Sequence, residues 1–114
     1  MDDCVFCKVA AKKAPAAIVY EDDELVAFDD IRPVAPVHVL IIPREHFSSL
    51  NDVPAGREGL LGRMVLKARD LAAAKGLGKR GYRLVFNTGP DSGQAVFHIH
   101  LHLIGGRGMT WPPG

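Results

Sequence analysis

The sequence predicts an α+β domain with five strands, one long helix and one short helix. Apolar residues recur at helical spacing over residues 57–75, and short runs of β-branched and aromatic residues alternate with turn residues elsewhere. The chain has 114 residues, of which 47% are hydrophobic and 24% charged, enough for one compact core. We therefore expect a single domain over residues 1–114.

The first half of the chain predicts a short helix followed by an antiparallel meander. Residues 4–13 carry four apolar positions on one helical face, and Pro15 ends the segment; these positions are Val5, Phe6, Val9 and Ala10. Strands are predicted at residues 17–20, 25–28 and 37–42, separated by an acidic turn and a proline-containing loop.

The second half predicts the main helix and two further strands. The apolar face of the helix over residues 57–75 consists of Leu60, Leu61, Met64, Val65, Ala68, Leu71 and Ala72. Gly76 and Gly78 end this helix. Strands are predicted at residues 82–87 and 96–104, on either side of a glycine-rich loop.

Charge and composition argue against a nucleic-acid partner and against a targeting segment. Fourteen Lys and Arg against thirteen Asp and Glu give a net charge of +1, and no basic run exceeds two residues. A polymeric nucleic acid is therefore not expected as a partner. The acidic start of the chain, without a long apolar stretch, predicts neither a secretory signal nor a membrane anchor, so we expect a cytoplasmic protein.

Residues 97–103 alternate apolar residues with histidines. In a strand, this alternation sends His98, His100 and His102 to one face and the apolar residues to the other. Three of the five histidines of the chain on one strand face indicate a functional site.

Two kinds of chemistry fit this row. Two histidines could bind a catalytic metal, although residues 103–114 contain no acid that would complete a cupin-like ligand set. Alternatively, one neutral imidazole could attack phosphorus while another donates a proton. Backbone N–H groups of the loop Gly93-Gln94-Ala95 could then bind phosphate oxygens.

The residues of this row resemble the histidine-triad (HIT) superfamily. Residues 98–104 match its His-φ-His-φ-His-φ-φ signature, in which φ is apolar, and the similarity extends over about residues 5–114. Other segments resemble its Hint branch: Asp29-Asp30-Ile31, Ala35-Pro36-Val37-His38, Gly81-Tyr82-Arg83, Gly93-Gln94, Gly105-Gly106-Arg107 and Trp111-Pro112-Pro113-Gly114. The resemblance implies the HIT fold, with the sheets of two chains paired in a homodimer.

The resemblance also implies an activity, that of a purine nucleoside phosphoramidase. Such an enzyme hydrolyses the P–N bond of adenosine or guanosine 5′-phosphoramidates through a covalent nucleotidyl-histidine. By family position His100 is the nucleophile, while His102 contacts the phosphate and helps to move protons. His38 is expected to orient the nucleophile through its second ring nitrogen, and catalysis needs no metal.

Substrate-binding residues follow from the same resemblance. Asp30 is expected to accept the ribose hydroxyls, and the base slot is formed by Val5, Phe6, Val9, Phe28, Ile31 and Leu40, for which ordinary core packing is an equal alternative. The phosphate and leaving-group side is formed by Asn87, Gly93, Gln94, Ala95 and Val96, with Trp111 reaching in from the partner chain. Ala95 stands where animal members commonly carry a serine, which leaves the preference for the leaving group open.

Cys4 and Cys7 predict a second site. In a reducing compartment, a pair at this spacing is more often metal-binding or redox-active than a structural disulfide. Other superfamily members combine such a pair with two histidines to hold zinc, and the matching histidines here are His46 and His98. Two Cys and two His give a closed tetrahedral site, typical of structural zinc. Packed free thiols and a redox pair are the alternatives.

Two further functions stay open. A related branch hydrolyses dinucleoside polyphosphates or transfers nucleotides with the same histidine nucleophile. The fold could also bind nucleotides without catalysis, since a fold alone does not determine a function.

Overall fold

A computed structural model describes residues 3–114 as a five-stranded antiparallel sheet with one helix on each face. The strands are β1 Ile18–Glu21, β2 Leu25–Asp29, β3 Val37–Pro43, β4 Tyr82–Phe86 and β5 Leu101–Gly105, and the helices are α1 Val5–Ala10 and α2 Glu58–Ala74. The strand order is β1-β2-β3-β5-β4, and every neighbouring pair is antiparallel. The predicted fold class is confirmed, including the meander of the first three strands.

Alternation along β2, β3 and β5 gives the sheet two apolar faces. One face packs against α2 and includes Leu25, Ala27, Val39, Ile41, Leu101 and Leu103. The other packs against α1 and includes Val26, Phe28, Leu40 and Ile42. Side chains alternate between the faces because successive residues of a strand point to opposite sides.

The long helix α2 buries one stripe against the sheet. Leu60, Met64, Ala68 and Ala72 follow one another at intervals of four residues and are all buried, as expected for a 3.6-residue period. The observed bounds lie one residue inside the predicted helix at each end. No helix among residues 3–114 is long and apolar enough to cross a bilayer.

The short helix α1 ends earlier than predicted. Cys4 is its N-cap, and the Cys4 sulfur accepts a hydrogen bond from the backbone N–H of Cys7 at 3.3 Å. Lys12 has φ of 60°, in the left-handed region that terminates a helix. Phe6, Val9 and Ala10 are buried, whereas Val5 is 46% exposed.

The last strand also differs from the prediction, because β5 begins at Leu101 and not at residue 96. In the β3–β5 register, Ile41 pairs with Leu101, which brings Pro43 opposite Ile99. A proline has no N–H to donate to the ladder, so strand pairing stops there. The N–H of Ile99 instead donates to the carbonyl of Phe47 at 2.7 Å. As a result Phe97, expected in the core, is 64% exposed.

Candidate functional site

A cavity of about 370 Å³ lies on the α1 face of the sheet. Its lining is mostly apolar and includes most of the predicted substrate-binding residues, together with His100 and His102; these are Val5, Phe6, Val9, Phe28, Asp30, Ile31, Leu40, Asn87, Gly93, Ala95 and Val96. The volume falls in the range of small-molecule sites, and an apolar lining with a few convergent polar groups is typical of them.

The register between β3 and β5 brings two histidines together. Leu40 pairs with His102, and His38 lies two residues before Leu40 on the same face. Diagonal neighbours across antiparallel strands are within reach of long side chains. Nε2 of His38 accordingly lies 2.8 Å from Nδ1 of His102.

The positions of the protons on these two rings follow from their partners. The backbone N–H of Val34 donates to Nδ1 of His38 at 3.1 Å, so this nitrogen carries a lone pair and Nε2 carries the proton. Nε2 of His38 then donates to Nδ1 of His102, which leaves the proton of His102 on Nε2. That nitrogen is buried without a hydrogen-bond partner among the described residues, and His102 lines the cavity.

His100 has its proton and lone pair on the opposite nitrogens from those of His102. Nδ1 of His100 lies 2.8 Å from the carbonyl oxygen of His98. A carbonyl only accepts, so Nδ1 carries the proton and Nε2 is left with a lone pair. The Phe6 ring packs edge-on against this imidazole, with centroids 5.1 Å apart. Both rings therefore line the cavity with their Nε2 atoms in opposite states, unprotonated in His100 and protonated without a partner in His102.

A second cluster brings together Cys4, Cys7, His46 and His98, whose potential ligand atoms all lie within 4.8 Å of one another. The two Nδ1 atoms are 3.1 Å apart, and three of the four sulfur-to-nitrogen distances are 3.3, 3.4 and 3.5 Å. Tetrahedral zinc with ordinary bond lengths requires roughly 3.3 Å between nitrogens and roughly 3.6 Å between sulfur and nitrogen. The geometry and the donor set of this cluster fit structural zinc.

The orientation of His98 supports this fit. Its Nε2 lies 2.8 Å from the carbonyl of Pro43 and so donates its proton there. Nδ1 is then unprotonated and faces both sulfurs and the His46 ring. Metal-binding histidines commonly donate their second nitrogen to a carbonyl in this way.

The chain matches known proteins over nearly its full length. The family model described as "Scavenger mRNA decapping enzyme C-term binding" matches residues 3–110. A HIT family hydrolase from Legionella pneumophila has 54% sequence identity and a TM-score of 0.96, over 98% of this chain and 100% of that one. The chain belongs to the histidine-triad family.

Two relatives of this histidine-triad chain are described as zinc-binding or zinc-bound proteins. A 14 kDa zinc-binding protein of Brassica juncea is 46% identical over 98% of this chain and 100% of its own length. A Zn-bound histidine-triad protein of Mycobacterium smegmatis is 36% identical, with a TM-score of 0.83, over 93% of this chain and 76% of that one.

The contacts of His38 differ from the expectation for this histidine-triad chain. The expectation that His38 orients His100 is wrong, because Nδ1 of His100 is taken by the His98 carbonyl. His38 instead contacts His102. The Asp30 carboxylate lies 3.5 Å from the same His38 nitrogen, and its other oxygen accepts the Arg32 N–H at 2.8 Å.

Gln94 and Gly93 also differ from the expectation. The Gln94 side chain does not line the cavity: it accepts from the Gly89 N–H and donates to the carbonyls of Ser48 and Val96. Gln94 thus joins three chain segments around the loop. The N–H of Gly93 is taken by Pro90 at 3.0 Å, so among the three loop residues only Gln94 and Ala95 can offer backbone N–H groups to a phosphate.

Trp111 lies outside the cavity of its own chain. Its side chain is 82% exposed, and the carbonyl of the preceding Thr110 accepts from the Arg83 guanidinium at 2.9 Å. A tryptophan exposed to this extent on a single chain agrees with the predicted role in a dimer, which stays a prediction.

The sequence did not indicate some residues of the site. Pro15 and Ala16 line the cavity, with their positions just after α1 as the only signal. Asp29 lines it too, and its signal was the Asp29-Asp30-Ile31 segment that resembles the Hint branch. Val34 contributes through its backbone N–H, for which a sequence carries no side-chain signal.

We expect His102 to remain neutral well below neutral pH. Burial lowers its pKa to about 4, and the neighbouring His100 and His38 rings act in the same direction. Because the unfolded chain binds this proton near pH 6.5, the folded state loses stability as the pH falls from about 6.5 to about 4. Ring ¹⁵N NMR of the free protein at pH 5 should record a neutral ring protonated on Nε2. Titration of His102 near pH 6.5, as in the urea-unfolded control, would contradict the assignment.

Proposed function

We propose that this protein is a nucleoside phosphoramidase that hydrolyses the P–N bond of purine nucleoside 5′-phosphoramidates. The proposal rests on two imidazoles that line the same cavity. Nε2 of His100 has a lone pair, and Nε2 of His102 has a proton that it can donate. A nucleophile and a preorganised donor are what attack on an anionic phosphoryl group requires.

His100 attacks as a neutral imidazole. Burial lowers the pKa of His100, so its lone pair is available at neutral pH. The lone pair forms a bond to phosphorus as the P–N bond breaks, and the amine leaves with the electrons of the P–N bond and takes a proton from solvent, to which the attacking water of the second step returns one. Water then attacks phosphorus and the P–Nε2 bond breaks, so that one water is consumed in the net reaction.

The other polar groups hold the phosphoryl and ribose. The Nε2–H of His102 donates to a phosphoryl oxygen, with Asn87 and the backbone N–H groups of Gln94 and Ala95 on the same side. The Asp30 carboxylate, which retains free lone pairs beside its bond to Arg32, accepts the ribose hydroxyls. His38 positions His102 and makes no contact with the phosphoryl group. The apolar slot between α1 and the sheet binds the purine.

A second candidate is cleavage of a P–O bond. The matching family model names a scavenger mRNA decapping enzyme, which favours a nucleotide anhydride as the second substrate class. The same His100 attack serves both reactions, because they differ only in the leaving group. Nucleotide binding without turnover is the remaining alternative.

Zinc is proposed as a structural cofactor at the Cys4, Cys7, His46 and His98 cluster. The four residues would fill every tetrahedral position, so a bound zinc would have no open position for substrate. It would supply a crosslink between α1 and the segments at His46 and His98. Since α1 supplies Val5, Phe6 and Val9 to the cavity, these ligands fix one wall of the slot.

The active form is proposed to be a cytoplasmic homodimer of single HIT domains over residues 1–114. A reducing compartment keeps both thiols available to zinc. The proline-stiffened tail leaves Trp111 exposed on one chain, and a two-fold interface would cover it beside the partner's leaving-group pocket.

The His100→Ala variant should lose turnover of an adenosine 5′-phosphoramidate and keep nucleotide binding. Without the Nε2 lone pair, kcat should fall at least about a thousandfold, or ~4 kcal/mol in barrier. Steady-state assays beside a P–O dinucleotide substrate, with AMP binding and melting temperature as folding controls, provide the measurement. Wild-type turnover of the P–O substrate alone would favour the second candidate, and turnover of neither would favour nucleotide binding without catalysis.

Purified protein should contain one zinc per chain, measured by elemental analysis. Because the metal stabilises only the folded state, a chelator should lower the melting temperature more than it lowers activity at room temperature. Cys7→Ser should reduce the zinc content, whereas the control Ser92→Ala, at a residue outside the four-ligand cluster, should leave it unaltered. Zinc-free protein with the same melting temperature would reject the site.

Deletion of residues 109–114 should change the ranking of amine leaving groups and leave AMP affinity unaltered, because the tail is proposed to border only the partner's leaving-group pocket. The measurement is kcat/KM over a panel of AMP and GMP phosphoramidates, with sedimentation at micromolar concentration. A monomeric full-length protein, or an unaltered ranking after deletion, would count against the dimer.

A further inference from the structure

The turn after β5 packs against the loop between β2 and β3, whose residue Val34 donates a hydrogen bond to His38. Gly106 has φ of 94°, and a Cβ at this position would come within 2.9 Å of Pro36. The missing side chain lets the turn approach the loop between β2 and β3 closely. Arg107, the next residue, reaches that loop with its side chain.

Arg107 makes one hydrogen bond to the loop and one to its own turn. Nε donates to the carbonyl of Val34 at 2.9 Å, and Nη1 donates to the carbonyl of Gly108 at 3.1 Å. Among residues 3–114, no carboxylate lies within salt-bridge distance of this guanidinium. The guanidinium is therefore held only by backbone carbonyls.

Val34 is bonded on both of its backbone polar groups. Its carbonyl accepts from Arg107, and its N–H donates to Nδ1 of His38 at 3.1 Å. Val34 is 55% exposed, so side-chain packing contributes little to its position. Local bonds of Asp30 to Arg32 and His38 and the fixed φ of Pro33 and Pro36 shape the loop, and the Arg107 bond ties Val34 to the turn after β5.

The Val34 N–H favours one arrangement of the protons on the His38 and His102 rings. With that N–H on Nδ1, the proton of His38 sits on Nε2, and His102 presents an N–H to the cavity. Without it, the proton could move to Nδ1 of His38. His102 would then donate from Nδ1 to Nε2 of His38, and its Nε2 would present a lone pair that repels a phosphoryl oxygen.

We propose that Arg107 is a positioning residue that holds Val34 and thereby sets the tautomers of His38 and His102. Its kinetic consequence rests on the proposed phosphoramidase activity, whereas its effect on the tautomers does not. The Asp30 carboxylate, 3.5 Å from Nε2 of His38, favours the same tautomer, so loss of Arg107 shifts the population without inverting it fully.

The test compares Arg107→Gln and Arg107→Lys with the charge control Arg80→Gln, an exposed residue in the turn before β4. Ring ¹⁵N NMR of the substrate-free proteins measures the tautomers, and steady-state kinetics measures kcat and KM separately. In Arg107→Gln we expect the Nδ1 resonance of His38 to shift toward its protonated value. We expect kcat to fall about fivefold, or ~1 kcal/mol, with KM within twofold of wild type.

The lysine variant guards against a purely structural effect. Arg107→Lys keeps a cationic donor that can reach the Val34 carbonyl, so it should retain most of the wild-type tautomer signature, and Arg80→Gln should retain all of it. Unaltered ring resonances in Arg107→Gln would overturn the inference, as would a loss confined to KM. If the protein has no phosphoramidase activity, the NMR comparison still decides, so the two proposals fail separately.

Discussion

The pairing of β3 with β5 is the constraint on which the rest of the site depends. Its register sets Leu40 opposite His102, and so places His38 diagonally across from His102 on the face that α1 covers. A slip of one residue would send every one of these side chains to the α2 face. The buried leucines of β5 prevent such a slip, because Leu101 and Leu103 pack in the core beneath α2. Core packing therefore fixes the position of the histidines.

The position of the lone pair distinguishes two neighbouring histidines of the row, His98 and His100. Nε2 of His98 donates a hydrogen bond to the Pro43 carbonyl, and its unprotonated Nδ1 faces the Cys/His cluster. Nδ1 of His100 donates to the His98 carbonyl, so the lone pair of His100 is on Nε2. In both rings a backbone carbonyl selects the tautomer. Two histidines only two residues apart are thus prepared for different roles, one for metal binding and one for nucleophilic attack. They differ in which ring nitrogen donates to a backbone carbonyl.

Sequence patterns predicted the features that depend on residues close together in the chain. The helical period gave α2 to within one residue at each end, and strand alternation placed His102 on the cavity face. The start of β5 was wrong because it depends on Pro43, a residue of another strand whose missing N–H faces Ile99. The partner of His38 was wrong for a similar reason: a backbone N–H in a distant loop sets its proton, and no side-chain pattern encodes that contact. Contacts between segments distant in sequence therefore separate the predicted elements and site from the observed ones.

In the proposed reaction a histidine nitrogen, and not water, attacks phosphorus first. The most direct measurement is the stereochemical course of hydrolysis of a P-chiral adenosine 5′-phosphorothioamidate in ¹⁸O-labelled water. Two successive in-line displacements, first by His100 and then by water, invert phosphorus twice and predict net retention of configuration. A single attack by water inverts it once, so net inversion would refute the nucleotidyl-histidine intermediate.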